Sequence, residues 1–544
     1  AFGMLFQAKQ PAMLQTSLGM ARSELVRAGT AKEETVEIDG KKVPFLYSPD
    51  GKVRSYLVAD GNFFLATSSR AMAHRFLETG KEKGALGALP EFHLARAEMP
   101  LARNDTIFVY ASQAFFENLS SPRYRVEMAR RLQAHADIEL VQLAVLAAAA
   151  EGKPGATIEQ LKAGRLLPPE FGPRPDGSET LLNAEGKVWD SLRGEYGAFL
   201  PVPDTPVDKV TQAEVSAIER FQTLLVEEWG GRFDPLMVAI GREMLEDKIE
   251  RVTIDAKAKP FASEHFQSLR RVVGAADTTR LAPVPGNVVA GEVQLQKQLL
   301  FWGIRDVGPP PSSVAGNLVS LGWLRNFVVG YLGTAGELGP LAQLHMQLGP
   351  PGSAGEAISQ RLGLWRRQLG PFTVFSFQPQ VLDEVMPQLH FVEAEYPAQL
   401  RLEVADLHAP HMTGFVNNLI YKRTREASLS NLRLFHQLQQ QLHVPPASCV
   451  EAAEFLLGAQ VYCPLGGEYK LVDQSGTERW TSTELVTRPL MESPLRIQAP
   501  PGYVAPPLQW LRGLQLQAQM HPTIVEAHAE VFMDTNVTLQ KPPQ

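Results

Sequence analysis

"ETVEIDGKKVPFLYSPDGKVRSYLVADGNFFLATS" (residues 34–68) is divided about every ten residues by an Asp-Gly pair, at Asp39, Asp50 and Asp60. The runs between the pairs are rich in β-branched and aromatic residues, which favour strands. Asp-Gly supplies the positive φ angles that a two-residue hairpin turn requires. The stretch therefore predicts four strands in an antiparallel meander.

The rest of the chain mixes helical and strand patterns, so the sequence predicts an α+β protein of antiparallel sheets with packed helices. The first 33 residues predict a helix broken at Pro11, and the apolar residues 138–150 fit a buried strand or helix. Thr211 and Glu214 form a capping box at the start of the clearest helix. Helices are predicted over 69–80 (with Gly80 as C-cap), 113–119, 122–136, 210–229 (ended by Gly230-Gly231), 378–389, 412–442 and 447–457. Strands are predicted over 106–112, 249–260, 372–377, 399–406, 459–464, 468–473, 479–485 and 524–536.

The order strand, helix, strand, long helix occurs twice, around 62–150 and around 372–443, which indicates two similar α+β modules around a central region. A chain of 544 residues exceeds what one core usually serves. Pro/Gly-rich residues at 306–315 and 348–357 are typical of linkers or surface loops. The predicted organisation is an N-terminal helical segment (1–33), a first α+β module (34–175), a central α+β region (176–345), a second α+β module (346–458) and a C-terminal β-rich segment (459–544).

Composition indicates a soluble globular protein, with 44% hydrophobic and 20% charged residues. The net charge of −7 offers no basic field for nucleic acid. No run reaches the roughly 20 apolar residues of a membrane-spanning helix, so no transmembrane segment is expected. The sequence begins Ala1-Phe2-Gly3, which fits a processed mature protein or a fragment.

The chain has two cysteines, Cys449 and Cys463. The first lies near the start of the helix that Gly458 caps, and the second ends the strand predicted after it. The helix advances about 12 Å at 1.5 Å per residue, and the strand returns roughly 13–15 Å at 3.3 Å per residue. A disulfide is therefore predicted, worth on the order of 3 kcal/mol; two buried free thiols, or a reactive or metal-binding thiol, are the alternatives. Gly466-Gly467 is predicted to turn the chain into a hairpin.

Short catalytic signatures are missing from the sequence: there is no phosphate-binding loop, dinucleotide-binding glycine motif, HExxH or GxSxG. We therefore predict no catalytic residue, cofactor-binding residue or cofactor. Asp406, His408 and His411 are weak candidates for a zinc site, since His and carboxylate are zinc ligands. Pro410 prevents a regular helix there, and a loop with two solvated histidines is the simpler interpretation.

Two charged clusters are the remaining candidates for chemistry. Asp234 follows a predicted helix and could form an acid/base group with Glu227, Glu228 and Arg232, although Asp before Pro more often sets a turn. The two basic helices could bind an anionic partner; in the second, the basic residues are Lys422, Arg423 and Arg425. Because Glu426 adjoins them, a solvated helix face is the simpler interpretation.

Several stretches, taken in order, resemble an uncharacterised group of large, exported bacterial proteins of unknown function. They are "FFLATSSRAMAHRFLE" (63–78), "RFDPLMVAIGRE" (232–243), "VPGNVVAGEVQL" (284–295), "FVNNLIYKRTREASLSNLRLF" (415–435) and "LLGAQVYCPLGGEYKLV" (456–472). The resemblance covers about residues 40–485. It implies an α+β build and a periplasmic, cell-envelope or extracellular location, and it brings no catalytic residues.

The expected function is therefore that of a non-enzymatic cell-envelope or secreted structural or interaction protein, with a protein partner or self-assembly. Two alternatives remain open. One is an exported, carboxylate-dependent hydrolase of glycans. The other is a ligand- or peptide-binding protein that uses a cleft between the two modules.

Overall fold

The computed structural model describes the chain apart from residues 80–83, 104, 230–232, 246–247, 261–263, 307–328, 343–345, 347–355, 359–362, 408–411, 475–476, 486–498, 501, 523 and 536–544. Gly80, Gly230-Gly231 and most of the two predicted linkers lie outside the described residues.

The Asp-Gly meander is confirmed. Four consecutive strands pair antiparallel, and Asp39 and Gly40 both have positive φ, 52° and 76°, as the turn between the first two requires. A fifth strand joins them, and the order in the sheet is β1-β5-β4-β3-β2. The strands are β1 (Gly3–Gln7), β2 (Lys32–Ile38), β3 (Lys41–Tyr47), β4 (Arg54–Asp60) and β5 (Phe63–Thr67).

The N-terminal prediction of a helix broken at Pro11 is correct for residues 11–27 and wrong for the residues before them. Gly3–Gln7 forms β1, in which Leu5 pairs with Leu65 of β5. Helix α1 (Pro11–Arg27) begins at the proline, because the first helical position needs no backbone N–H and suits the fixed φ of proline.

A second sheet contains twelve antiparallel strands. Its order is β15-β16-β17-β14-β13-β12-β19-β22-β23-β10-β9-β6. The strands are β6 (Ile107–Ala111), β9 (Phe233–Met244), β10 (Ile249–Pro260), β12 (Asn287–Leu295), β13 (Gln298–Arg305), β14 (Gly330–Gly336), β15 (Glu356–Ile358), β16 (Trp365–Leu369), β17 (Phe372–Ser376), β19 (Leu400–Val404), β22 (Leu511–Met520) and β23 (Val525–Asp534). Three two-stranded ribbons complete the β structure: β7 (Thr180–Leu182) with β8 (Val188–Asp190), β11 (Asp277–Leu281) with β18 (Phe391–Ala398), and β20 (Tyr469–Gln474) with β21 (Thr477–Ser482).

One residue from each of the twelve strands lies in a single row across the large sheet. From β6 to β15 the row is Phe108, Ala239, Asp255, His528, Gln517, Arg401, Glu292, Phe301, Gly333, Val374, Arg367 and Glu356. Directly opposite residues share a face, and neighbours along a strand point to opposite faces. The middle of the row, from Asp255 to Glu292, is polar. The next row, from Ile254 through Leu402 to Trp302, is apolar, so the centre of the sheet has one polar and one apolar face.

Twelve α-helices occur in the part of the chain that the structure describes: α1, α2 (Arg70–Thr79), α3 (Pro90–Glu98), α4 (Gln113–Ser120), α5 (Pro122–Ala150), α6 (Ile158–Ala163), α7 (Gln212–Trp229), α8 (Glu264–Val272), α9 (Pro379–Val385), α10 (Met412–Gln441), α11 (Cys449–Leu457) and α12 (Pro506–Trp510). Residues 122–150 form one continuous helix, α5, so the apolar stretch 138–150 is helical. The capping box before α7 is confirmed: the backbone N–H of Glu214 donates to Thr211 Oγ1 (3.2 Å), and that of Thr211 donates to Glu214 Oε2 (2.8 Å). The α+β class is confirmed.

The largest apolar core lies between the large sheet and α9. Phe301, Val374 and Val385 are buried in it. A separate core forms where Ile138 and Val141 of α5 pack on α6 and the β7–β8 ribbon. Hydrophobic burial of this kind is the main stabilising contribution to each layer.

The predicted disulfide is wrong, because both cysteines are buried free thiols. Gly458 does cap α11 in the left-handed conformation (φ 59°). However, residues 459–463 form no strand and Gly466-Gly467 is no hairpin turn; the hairpin is β20–β21. Cys463 Sγ lies 3.0 Å from Ser482 Oγ, whereas Cys449 Sγ faces the carbonyl of Pro445. The two thiols therefore have different neighbours.

The large sheet takes strands from four of the five predicted segments, all except residues 1–33. The strands of the first proposed repeat, β5 and β6, lie in different sheets, while those of the second, β17 and β19, lie in the same one. The internal duplication stays a prediction.

Candidate functional site

The predicted zinc ligands fall at the end of β19. Asp406 follows the strand, and His408 and His411 lie outside the described residues. Within the described ranges, no group of three His, Cys, Asp or Glu side chains is placed to hold a metal ion. The zinc site stays a prediction.

Asp234 lies within β9 together with Pro235, so the alternative of an Asp-Pro turn is wrong. The side chains of Glu227, Glu228, Arg232 and Asp234 lie outside what the structure describes. The proposed acid/base group therefore stays a prediction.

The first basic helix is part of α5. Its Arg130 is 6% exposed, so the interpretation of a solvated face is wrong for that residue, whereas Arg123 and Arg125 are exposed. In the second basic helix, α10, Arg423 is exposed and Lys422 and Arg425 are half-buried. Each helix therefore carries both exposed and more buried basic residues.

A buried network of ion pairs surrounds Arg193, which follows β8. Its guanidinium makes two parallel hydrogen bonds with Glu127 of α5, Nε to Oε1 and Nη2 to Oε2, both 3.0 Å long. Nη2 also donates to Asp176 Oδ2 at 2.7 Å. Both Arg193 and Glu127 are fully buried. Such bidentate charged bonds are the strong ones in proteins.

Three more arginines extend this network. Arg174 pairs with Asp137 and Asp190. Arg130 pairs with Glu214 (Nε–Oε1 2.7 Å), and Arg131 pairs with Glu127 (2.8 Å). The network therefore joins α5, α7 and the β7–β8 ribbon, with each of its four guanidinium groups matched to carboxylates.

Asp176 shows how strongly the network favours its charged forms. Burial would raise the pKa of Asp176, but hydrogen bonds from Ser178 and Arg193 outweigh burial and lower it to about 2. Burial would likewise lower the pKa of Arg193, and the bonds to Glu127 and Asp176 raise it instead. These groups are locked in ion pairs, which fits a structural role.

On the polar face of the large sheet, His528 Nδ1 lies 2.7 Å from Asp255 Oδ1, and Arg103 pairs with the other carboxylate oxygen. The hydrogen bond with Asp255 raises the pKa of His528, and the same bond is the main cause that lowers the pKa of Asp255. His528 Nε2 lies 3.7 Å from Glu530 Oε1. The two carboxylates therefore favour the protonated form of the imidazole.

The middle of the row across the large sheet lines a cavity of about 70 Å³ between β11 and strands β12, β19 and β22. Its polar lining includes Arg280, Asn287, Glu292, Arg401 and Glu403, and Phe301 and Val284 contribute apolar walls. Arg401 Nη1 donates to Glu292 Oε1 at 2.9 Å, while Arg280 and Glu403 have no ion pair within the described residues. The cavity therefore differs from the Arg193 network in holding unmatched charges.

A third feature is the outer edge of β1, which within the described residues pairs with β5 alone. Its side chains are apolar and exposed: Met4, Leu5 and Phe6 are 49%, 59% and 36% exposed. Exposed apolar edges of this kind are sites of strand pairing.

Among the described residues, one helix, α5, is long and apolar enough to span a membrane by length and composition alone. It buries Glu127 and Arg130 in ion pairs and packs Ile138 and Val141 in a core. This agrees with the expected lack of a transmembrane segment.

Comparison with models of protein families, with curated proteins and with solved structures found no match. The resemblance to the exported bacterial proteins therefore stays an expectation.

Sequence reasoning missed Arg193, Arg280 and Arg401, which define the two charged sites. Arg193 and its partner Glu127 are 66 positions apart, and Arg401 and Glu292 are 109 apart. The available signal was a charged residue inside a strand pattern, as at Glu292 in "VVAGEVQL" and Arg401 in "QLRLEV", where each interrupts an apolar run.

Proposed function

We propose that the protein is a non-enzymatic structural or interaction protein of the cell envelope or the extracellular space, and that two copies associate through β1. The proposed location rests on the resemblance to exported bacterial proteins. The association rests on the edge of the five-stranded sheet. The protein would thus act by binding.

The observation that supports this proposal is the lack of protection at β1. An open edge presents unpaired N–H and C=O groups, which can pair with another strand. Natural edges are usually guarded by charges, proline or a bulge. β1, "GMLFQ", has none of these.

The other edges contrast with β1. β2, at the opposite edge of the same sheet, is "KEETVEI", with four charged residues. β6, an edge of the large sheet, has Phe108 and Tyr110 packed against α3, so one of its faces is covered. At β1, by contrast, large apolar side chains are exposed on both faces of the strand.

A two-fold antiparallel pairing centred on Leu5 suits the order of side chains in β1. Leu5 would lie opposite Leu5 of the second copy, and Met4 opposite its Phe6. The two sheets would join into one of ten strands, and each copy would use the same patch. A membrane surface fits less well, because lipid would leave the backbone groups of the edge unpaired.

Sedimentation velocity and light scattering on the protein test the proposal. We expect a mass twice that of one chain, and we expect Leu5→Lys to shift the protein to the monomer because a charge would be buried at the centre of the pair. The matched control is Leu132→Lys, on α5, where the leucine is 68% exposed and outside the edge. It should leave the dimer intact.

Two results would overturn the proposal. One is a wild-type protein that stays monomeric up to its solubility limit, whether or not it binds lipid vesicles. The other is a dimer that Leu5→Lys leaves as tight as wild type.

A further inference from the structure

The cavity beside β11 contains two charged groups of opposite sign that the fold does not neutralise. Arg280, half-buried on β11, has no ion pair or hydrogen bond from its side chain within the described residues, and its Nε is buried without a partner. Glu403, on β19, lines the same cavity and likewise has no ion pair or hydrogen bond from its side chain there. Unmatched charges are costly in a partly buried site, so their retention on one cavity points to a ligand.

Arg401 contributes a fixed positive charge beside this cavity. It is 9% exposed, and its two Nη atoms donate to Glu292 Oε1 at 2.9 Å and to the carbonyl of Asp277 at 2.7 Å. Its charge is therefore matched by Glu292, and Arg280 is the arginine of the cavity without an ion pair in the part of the chain described.

Asn287 forms part of the cavity wall. Its Nδ2 donates to Tyr331 Oη at 2.8 Å, which fixes the side chain, and its Oδ1 is buried. The charges that the cavity exposes without an ion pair in the described ranges are therefore Arg280 and Glu403.

We propose that this cavity binds a small zwitterionic α-amino acid. Its carboxylate would accept from the accessible part of the Arg280 guanidinium, because a guanidinium matches the planar geometry of a carboxylate. Its ammonium group would donate to Glu403. The ligand is neutral overall, as is the sum of Arg280, Arg401, Glu292 and Glu403. A dianion such as phosphate suits the cavity less because of its two carboxylates.

The cavity is small and open to solvent. Glycine and alanine are the smallest ligands that carry both charges, so they are the first to test. Phe301 and Val284 form the apolar wall against which a methyl group would pack. The site goes beyond the proposed association through β1 and does not depend on it.

Titration calorimetry with glycine and L-alanine on the full chain tests the site. We expect saturable binding of both, and at least about tenfold weaker binding of acetate and of ethylamine, which each carry one of the two charges. Phosphate should bind no better than acetate. This ligand series needs no variant, so it does not depend on whether a substitution folds.

Variants then assign the two charges. Arg280→Leu and Glu403→Gln should each weaken glycine binding at least about tenfold. The matched controls, Arg271→Leu and Glu393→Gln, change exposed residues outside the cavity and should bind as wild type does. The proposal is wrong if neither glycine nor alanine binds. It is also wrong if acetate binds as tightly as glycine, or if the cavity variants and their controls behave alike.

Discussion

Arg193 and Arg280 are both partly or fully buried arginines, and their surroundings differ in one respect. The guanidinium of Arg193 is matched by Glu127 and Asp176, whereas that of Arg280 has no carboxylate partner within the described residues. The first arrangement is closed, because every strong donor already has an acceptor. The second is open, and a ligand can complete it.

The difference in burial explains why the Arg193 network and Arg280 should contribute differently to the stability of the fold. Removing two charges from water costs several kcal/mol per ion, and a buried pair offsets this only when its geometry and remaining hydrogen bonds are good. The Arg193 network meets that condition with paired bonds of 2.7–3.0 Å. Arg280 is half-buried, so water still solvates part of its charge. The Arg193 network should therefore control stability, and the cavity should control binding.

The largest effect is expected for Arg193→Met. It leaves Glu127 and Asp176 buried with one cation fewer, and breaking a buried pair in this way costs about 3–5 kcal/mol. The measurement is urea-induced unfolding followed by tryptophan fluorescence, with hydrogen exchange over residues 122–214. We expect a large loss of stability, concentrated in those residues.

Two comparisons separate this effect from a general loss of packing. Lys41→Met breaks the exposed pair between Lys41 and Asp60 and should cost at most about 1 kcal/mol. The double variant Glu127→Gln, Arg193→Met should lose clearly less stability than the sum of the two single variants. Each single change leaves the other charge buried without its partner. Additive effects would show that the pair is not coupled as the geometry requires.

A smaller effect is expected from acid. The folded-state pKa of Asp176 is about 2, below its ordinary value of 3.8, so its contribution is fully present above pH 4 and is lost as pH falls toward 2. The shift corresponds to on the order of 2 kcal/mol. Arg193, Arg130 and Ser178 face this carboxylate. The stability gap between wild type and Asp176→Asn should therefore narrow between pH 4 and pH 2; a gap that stays constant would contradict the assignment.

The parts of the fold that could be predicted depend on local chemistry. The Asp-Gly turn at Asp39 was predictable because the required φ angles are set by the turn residues themselves. At the other two pairs only the glycine has a positive φ: six residues join β3 to β4, and Asp60 is the last residue of β4. The capping box at Thr211 and the left-handed Gly458 follow the same logic. β1 was mistaken for helix because its pairing with β5 lies about 60 residues away, beyond any local pattern.

The charged sites could not be predicted, for the same reason. Nothing near Arg193 indicates that Glu127 will lie beside it, and nothing near Arg280 indicates that it will lack a partner. The disulfide prediction was wrong for a related reason. A helix followed by a returning strand could have brought the two cysteines together, but Cys463 packs beside Ser428 of α10 and Ser482 of β21. Contacts between distant elements decided each of these cases.

The smallest effect is expected for Arg280→Leu, and it is the sharpest test of the contrast between the two arginines. Because Arg280 has no ion pair to lose within the described residues, its removal should change the free energy of unfolding by no more than about 0.5 kcal/mol. The same urea titration used for Arg193→Met measures it, in the absence of amino acids. A loss of several kcal/mol would mean that Arg280 is a structural residue like Arg193. A stable variant that no longer binds glycine would instead separate the two roles, since stability would then depend on the closed network and binding on the open cavity.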